Sequence, residues 1–187
     1  MIKKIKKLLN GSIVLHQFYN KKLSGLLKRN KQKNIRQSLI EKFIKIHKLH
    51  QPKIKNNLII TNKQTWYFSV SHTLGRTFVH FAKQPIGIDC QTIVNLNNLK
   101  NNSHFLANKK SINKNNKINF MIQWTTKEAF LKCFHNIYHK NPDFKKWRIK
   151  LLKSYNTKFF SKNNIFLCKT IYCRHYIYTI CYKIKTM

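Results

Sequence analysis

The chain is almost without acidic residues, and this imbalance limits what it can fold into. Its 187 residues include 38 lysines and arginines but only four acids, so the formal net charge is +34. Hydrophobic residues make up 42% of the chain and aromatic residues 13%, which is enough to bury a core despite the charge. We therefore expect a globular protein, built as one domain or as two small lobes folded together.

The positive charge has two interpretations. A pI of about 10.3 is typical of nucleic-acid-binding proteins. Only five of the 38 cations are arginines, however, and arginine is the residue that reaches phosphates and base edges with two hydrogen bonds. We interpret the excess of lysine and asparagine mostly as compositional drift in an A+T-rich coding sequence. The field still attracts anionic ligands and acidic proteins, so a nucleic-acid-binding protein stays open as the alternative.

The cysteines and the basic start of the chain bear on its compartment. An odd number of cysteines without a CxxC pair predicts buried free thiols rather than disulfides or zinc ligands; they are Cys90, Cys133, Cys168, Cys173 and Cys181. No small-residue cleavage site follows the basic residues 1–15, and no stretch is long enough to span a bilayer. We expect a cytoplasmic protein with no membrane partner.

The first half of the chain predicts a helix followed by three strands. Residues 35–50 form a helix that ends before Pro52, with one apolar face made of Ile35, Leu39, Ile40, Phe43 and Ile44. Residues 66–70 and 77–81 are predicted strands, joined by a short connection in which Gly75 can take a positive φ. A third strand covers residues 85–89.

The second half repeats this order after an asparagine-rich stretch, residues 95–119, which predicts a solvated connection. Residues 120–134 predict a helix with an apolar stripe and a polar face. The stripe is Phe120, Trp124, Leu131 and Phe134, and the other face carries Thr125, Glu128, Lys132 and His135. Residues 163–184 predict two strands in a hairpin. The whole order predicts an α+β fold of two similar lobes, 1–84 and 85–187, each a helix packed on a short antiparallel sheet.

Two of the four acids occupy informative positions. Asp89 ends a predicted strand beside Gly87, and Glu128 lies on the polar helix face with Lys132 one turn later. Two carboxylates can hold Mg²⁺ against a diphosphate, because Mg²⁺ completes its shell with phosphate oxygens and water. A nearby cation such as Lys132 can then contact the phosphates. The alternatives are an ordinary i,i+4 pair between Glu128 and Lys132 and a turn-forming role for Asp89.

Three motifs then carry a resemblance to a known family. They are FSVSHT (68–73), IGID (86–89) and WTTKEAFLK (124–132), in that order along the chain. The chain resembles the 4′-phosphopantetheinyl transferases, and among them the larger two-lobed branch, which convert apo acyl or peptidyl carrier proteins to their holo forms. The resemblance covers roughly residues 35 to 135.

The resemblance implies a metal site. Asp89 and Glu128 would bind Mg²⁺ at the diphosphate of coenzyme A, and Lys132 would contact the same phosphates. Two-lobed relatives carry a glutamate where this chain has Gln91. An amide oxygen can ligate Mg²⁺ but cannot take a proton, so Gln91 would be a neutral ligand or leave its place to water. Removing the proton of the carrier serine would fall to Glu128 or to a metal-ordered water.

The resemblance also implies residues that hold coenzyme A. Ser71 and His72 would lie beside the nucleotide's phosphates, whereas a turn histidine satisfied by the backbone is the alternative for His72. Arg36 would hold the 3′-phosphate. Lys63 would correspond to the lysine of the family's Gly-Lys-Pro sequence, although its glycine and proline are missing here.

The implied reaction transfers 4′-phosphopantetheine from coenzyme A to a serine of an apo acyl carrier protein and releases 3′,5′-ADP. The implied partner is an acidic carrier protein, with a fatty-acid carrier as the minimal expectation. The implied enzyme is a monomer without a specific nucleic-acid partner. Because Gln91 replaces a carboxylate, an inactive remnant that binds coenzyme A is a further alternative.

Overall fold

The computed structural model of this chain describes residues 11–20, 22, 24–93, 114–152, 155–173 and 176–184. Within these residues the fold is α+β, with two antiparallel five-stranded sheets that each pack against a helix. The predicted class, two similar lobes of one helix on one sheet, is confirmed.

The first lobe contains one helix and five strands. In chain order they are β1 (Ile13–Phe18), α1 (Gly25–Ile46), β2 (Lys53–Lys55), β3 (Leu58–Ile60), β4 (Thr65–Thr73) and β5 (Arg76–Ala82). The sheet order is β1-β5-β4-β3-β2. The predicted connection 71–76 is wrong in extent, because residues 71–73 continue β4 and only Leu74 and Gly75 form the turn. Gly75 has a φ of 68°, which a glycine adopts without strain.

The predicted helix face forms the first core. Four of its five residues are buried, and Ile44 packs partly buried against the same cluster. Phe43 stacks on Phe81 of β5 with ring centroids 3.9 Å apart. Helix α1 begins at Gly25, well before the predicted start at Ile35, and its first residues are mostly exposed. The sequence missed this part because exposed turns carry no apolar periodicity.

The second lobe repeats the plan with a longer helix. Its elements are β6 (Ile86–Thr92), α2 (Lys114–Tyr138), a 3₁₀ turn (Phe144–Lys146), β7 (Arg148–Leu151), β8 (Thr157–Ser161), β9 (Asn164–Cys173) and β10 (Tyr176–Ile184). The sheet order is β6-β10-β9-β8-β7. The predicted hairpin near the end of the chain is confirmed, since β9 and β10 pair antiparallel.

Helix α2 differs from its prediction at its start and in its buried face. Residues 114–119 are helical, and the rest of the predicted connection lies outside the described residues. The predicted apolar stripe is wrong in part: Phe134 is buried, but Phe120, Trp124 and Leu131 are only partly buried. The fully buried positions include Ala129, Phe130 and Cys133. The small residues Ala129 and Cys133 lie where the helix backbone approaches Gly87 of β6 closely, whereas Phe130 packs on Phe159 and Phe166.

The two sheets share a core at their joint. Three residues of the first sheet and five of the second form one buried cluster, made of Val14, Phe78, Ala82, Ile86, Ile88, Cys90, Tyr178 and Ile180. The first sheet ends at Ala82 and the second begins at Ile86, so residue 84 lies between them. The side chains of Cys90, Cys133, Cys168 and Cys181 are buried free thiols, as predicted, and that of Cys173 is outside the description.

None of the helices in the described residues is long and apolar enough to cross a membrane.

Candidate active site

Asp89 is the centre of the site. It lies within β6 rather than at a strand end, which excludes the turn-forming alternative, and only 3% of the residue is exposed. Its Oδ1 accepts hydrogen bonds from Ser71 Oγ at 3.0 Å and from Lys132 Nζ at 2.9 Å, and its Oδ2 accepts from Gln91 Nε2 at 3.1 Å. Three donors therefore stabilise a carboxylate that burial would otherwise disfavour.

Ser71 and Ser69 join the first sheet to this carboxylate. β6 is an edge strand of its sheet, and Ser69 Oγ accepts from Ile88 N at 3.0 Å while Ser71 Oγ accepts from Cys90 N at 2.9 Å. The two hydroxyls thus satisfy edge donors that would otherwise be buried without partners. Ser71 is only 1% exposed. The structure brings it to Asp89 instead of to the open surface.

Gly87 sets the distance between β6 and α2. A Cβ added to Gly87 would collide with the backbone oxygen of Ala129 and with the backbone nitrogen and Cα of Cys133. The strand and the helix therefore touch through their backbones. Asp89 lies two residues after Gly87 on the strand. The close approach therefore brings Asp89 within hydrogen-bond distance of Lys132, which lies one helical turn after Glu128. Gly87 of the strand motif is therefore required for the packing of β6 against α2.

Glu128 lies near enough to Asp89 for the charge of Asp89 to affect its pKa. Partial burial raises the pKa of Glu128, the negative charge of Asp89 raises it further, and Lys132 lowers it. Lys132 forms its ion pair with Asp89 and not with Glu128, so the ordinary i,i+4 pair is not the arrangement found. The structure brings both predicted carboxylates together around one lysine.

These residues fit Mg²⁺. Two carboxylates and one amide oxygen are hard oxygen ligands, the kind that Mg²⁺ prefers. Gln91 donates its amide nitrogen to Asp89, which leaves its Oε1 as an acceptor. In the described part of the chain no three His, Cys, Asp or Glu residues group together as metal ligands.

An open cleft of about 360 Å³ adjoins this group. Both lobes line it, with Arg36 of α1, Ser69 and Val70 of β4, and Lys132 of α2 among its walls. The guanidinium of Arg36 lies 5.5 Å from the ring centroid of Phe68. Arg36 and Lys132, 96 positions apart in the sequence, therefore face one space that is suited to an anion.

His72 belongs to the same charged group. Its Nδ1 lies 2.9 Å from Thr77 Oγ1 on β5, so its partner is a side chain and not the backbone. Although His72 has an exposed surface, desolvation and then the positive charges of Lys132, Arg36 and Lys28 lower its pKa to about 4. The imidazole is thus neutral near pH 7.

Two further residues were missed by sequence reasoning. Lys28 contributes to the positive field at His72, and its position eight residues before Arg36 on α1 could have indicated a shared helix face. Asn136 of α2 donates to Ile86 O at 2.8 Å and to Phe68 O at 3.3 Å. It accepts from Asn57 at 2.9 Å and so ties the lobes together at the cleft. No motif pointed to it.

Lys63 is the predicted residue that the structure does not bring to the site. It is exposed in the turn that precedes β4. Strand β4 advances about 3.4 Å per residue, so Thr65 and Ser71 are separated by about 20 Å. A lysine side chain at this turn does not span that distance.

No protein-family model matches this sequence, and no curated protein matches it either. The fold and the site define an α+β protein of two lobes, with a buried carboxylate at the joint of the lobes and cations in the cleft that adjoins it.

Proposed function

We propose that this chain is a 4′-phosphopantetheinyl transferase that modifies an apo acyl carrier protein with coenzyme A. One observation carries the proposal: the three motif segments converge on a single carboxylate. Ser71 from the first segment and Lys132 from the third both donate to Oδ1 of Asp89, which belongs to the second. Ser71 is 18 positions and Lys132 is 43 positions from Asp89 in the sequence, yet the three side chains are in contact. An accidental match to the motifs would give no reason for this contact.

The cleft supports coenzyme A as the donor. Its cations Arg36 and Lys132, with Lys28 close by, offer charge-assisted hydrogen bonds to phosphates. We assign the 3′-phosphate to Arg36 and the diphosphate to Lys132. Neutral His72 can donate one further hydrogen bond to a phosphate oxygen without adding charge.

The chemistry needs stabilisation of charge at the diphosphate. Asp89, Glu128 and Gln91 would hold Mg²⁺, which when bound neutralises the diphosphate. Lys132 neutralises charge on the oxygens of the phosphate under attack. Glu128 is our candidate to take the proton of the carrier serine, because Gln91 cannot.

The bonds balance as a phosphoryl-type transfer. The serine oxygen of the carrier forms a bond to the β-phosphorus of coenzyme A, and the bond from that phosphorus to the bridging oxygen breaks. The products are a phosphopantetheine phosphodiester on the carrier and 3′,5′-ADP. The protein would act as a cytoplasmic monomer, on an acidic carrier such as that of fatty-acid synthesis, with no specific nucleic acid.

A mass measurement of the carrier tests this function. Purified protein is incubated with apo acyl carrier protein and coenzyme A, with Mg²⁺ or with EDTA. We expect the carrier to gain the mass of phosphopantetheine only when Mg²⁺ is present. Coenzyme A binding without any mass gain would instead indicate an inactive remnant. Neither transfer nor coenzyme A binding, together with tight and salt-dependent RNA binding, would indicate a nucleic-acid-binding protein.

A further inference from the structure

An exposed aromatic and cationic cluster lies beside the site, and we call it the Phe18–Arg76 patch. It consists of Phe18, Leu74, Arg76 and Tyr176. Phe18 is 61% exposed and Leu74 is 40% exposed. The guanidinium carbon of Arg76 lies 3.8 Å from the ring centroid of Phe18 and 5.3 Å from that of Tyr176. The patch therefore combines apolar surface with a fixed positive charge.

Contacts within the fold hold this patch rigidly, since Arg76 also lies 5.5 Å from the ring centroid of the buried Phe78. Phe18 and Arg76 are directly opposite in the pairing of β1 and β5, so the ring holds the guanidinium in place. Within the described residues Arg76 has no ion-pair partner, and its Nε is buried without a hydrogen bond. An exposed phenylalanine contributes little to a core. Arginine and aromatic residues held rigidly in this way are the types that dominate the binding energy of protein interfaces.

The patch is near enough to Asp89 to take part in recognising a macromolecular substrate. Arg76 pairs with Thr73, whose side chain lies on the same face of β4 as that of Ser71 two residues earlier, and Ser71 donates to Asp89. At about 3.4 Å per residue, the patch begins about 7 Å from Ser71 along the strand. A standard interface buries about 800 Å² per partner, a disc with a radius of about 16 Å. A protein whose serine reaches Asp89 can therefore also cover the patch.

We infer that the Phe18–Arg76 patch is a docking surface for the acidic acyl carrier protein, an inference that rests on the proposed function. Phe18 and Leu74 contact apolar side chains of the carrier beside its serine, and the guanidinium of Arg76 pairs with a carboxylate of the carrier. Charge complementarity favours this partner, because the chain carries a formal net charge of +34 and carriers of this kind are acidic. Pairing across the interface also speeds encounter at low salt.

The test separates binding of the carrier from binding of coenzyme A. Arg76→Gln and Phe18→Ala are assayed for the KM of a purified acidic apo acyl carrier protein and for the KM of coenzyme A. The affinity for the same carrier, labelled with a fluorophore, is measured by anisotropy, which needs no turnover. We expect each variant to weaken carrier binding about tenfold, with the KM for coenzyme A unchanged. Matched controls are Arg148→Gln on the edge strand β7 and Tyr155→Ala, at a ring that is 50% exposed; both should bind the carrier like wild type.

The possible results judge the docking inference and the proposed function separately. If wild type transfers but the patch variants bind the carrier as well as wild type does, the docking inference is wrong and the proposed function stands. If wild type binds the carrier without transfer, the function fails while the anisotropy series still judges the patch. Failure of wild type to bind the carrier overturns both. A parallel rise in both KM values would mean that the patch supports the fold, which also overturns the docking inference.

Discussion

The hydroxyl of Ser71 donates to Oδ1 of Asp89 at 3.0 Å across the joint between the two lobes. The same hydroxyl accepts the backbone N–H of Cys90, so the serine fixes both the strand and the carboxylate that the strand carries. Orientation of the central acid therefore depends on the first lobe, although the acid and its lysine partner both belong to the second.

Comparing Ser71→Ala with Ser69→Ala separates the orientation of Asp89 from the stability of β6. Each removes the acceptor of one buried N–H of β6, and each should lower the free energy of unfolding by about 1–3 kcal/mol. Only Ser71→Ala also removes a donor to Asp89, so only this variant should slow transfer strongly. The measurements are chemical denaturation and turnover of apo-carrier at saturating Mg²⁺. Equal turnover in the two variants would show that the bond to Asp89 has no functional role.

Gly87→Ala should destabilise the second lobe. The added Cβ meets backbone atoms of Ala129 and Cys133, which cannot move aside without displacing α2, and overpacking of this kind costs about 1–3 kcal/mol or more. Gly25→Ala is the comparison, because its Cβ would lie in open space and only the positive φ of 54° is unfavourable, about 1–2 kcal/mol. Thermal unfolding ranks the two variants. A Gly87→Ala protein more stable than Gly25→Ala would exclude the close approach of strand and helix.

Arg36→Gln should weaken the binding of coenzyme A through its 3′-phosphate. Losing one charge-assisted hydrogen bond, worth about 1.5 kcal/mol, raises the KM for coenzyme A about tenfold. The KM for 3′-dephospho-coenzyme A should change little, since that molecule lacks the group in question. Arg29→Gln, on the exposed first part of α1, serves as the control. If Arg36→Gln affects both donors equally, the assignment of the 3′-phosphate to Arg36 is wrong.

His80 should make the protein sensitive to acid. It bridges the lobes through Tyr178 Oη at 2.8 Å and also lies 2.6 Å from Ser12 Oγ of its own lobe, and burial lowers its pKa to about 3. Above the unfolded value of 6.5 the residue is neutral in both states. Below it, the unfolded chain takes up a proton that the folded state excludes, so stability is lost at up to about 1.4 kcal/mol per pH unit.

The corresponding measurement is urea denaturation at pH 7 and pH 5. Wild type should lose about 2 kcal/mol from His80 alone over this range, in addition to the loss from His72, whose pKa is lowered to about 4. His80→Gln removes the titration and should show a shallower dependence on pH. Identical slopes in the variant and in wild type would mean that His80 is not neutral in the folded protein.

The sequence predicted the elements that contribute large apolar faces to the core. The face of α1 from Ile35 to Phe43, the paired strands β4 and β5, and the hairpin of β9 and β10 all carry such faces. Five strands were missed: β2 and β3 have three residues each, β7 is exposed throughout at the sheet edge, and β1 and β8 have six and five residues with only one and two of them buried. An edge strand without a buried face shows no alternation, so periodicity cannot reveal it.

The sequence could indicate which residues form the site, but not which of them are in contact. The motifs named Asp89, Glu128 and Lys132, and sequence spacing left a pair between Glu128 and Lys132 open as the alternative, whereas Lys132 bonds to Asp89. Ser71 was placed in the connection 71–76, which Gly75 marked as a turn; in the structure it belongs to β4 and reaches across the joint of the lobes. Contacts of this kind depend on how the sheets pack, which no local pattern contains.

The most direct test of the account compares Glu128→Gln with Glu41→Gln in the conversion of apo-carrier by coenzyme A and Mg²⁺. Both glutamates lie on helices, and Glu41 is exposed with Gln37 as its partner, so Glu41→Gln should not alter the free energy of unfolding by more than about 0.5 kcal/mol. Burial and Asp89 disfavour the charged form of Glu128, so the neutral Glu128→Gln should not destabilise the fold. We expect Glu41→Gln to convert the carrier at the wild-type rate and Glu128→Gln to be at least about 100-fold slower. Wild-type conversion by a folded Glu128→Gln protein would contradict the role of this carboxylate, and with it the proposed mechanism.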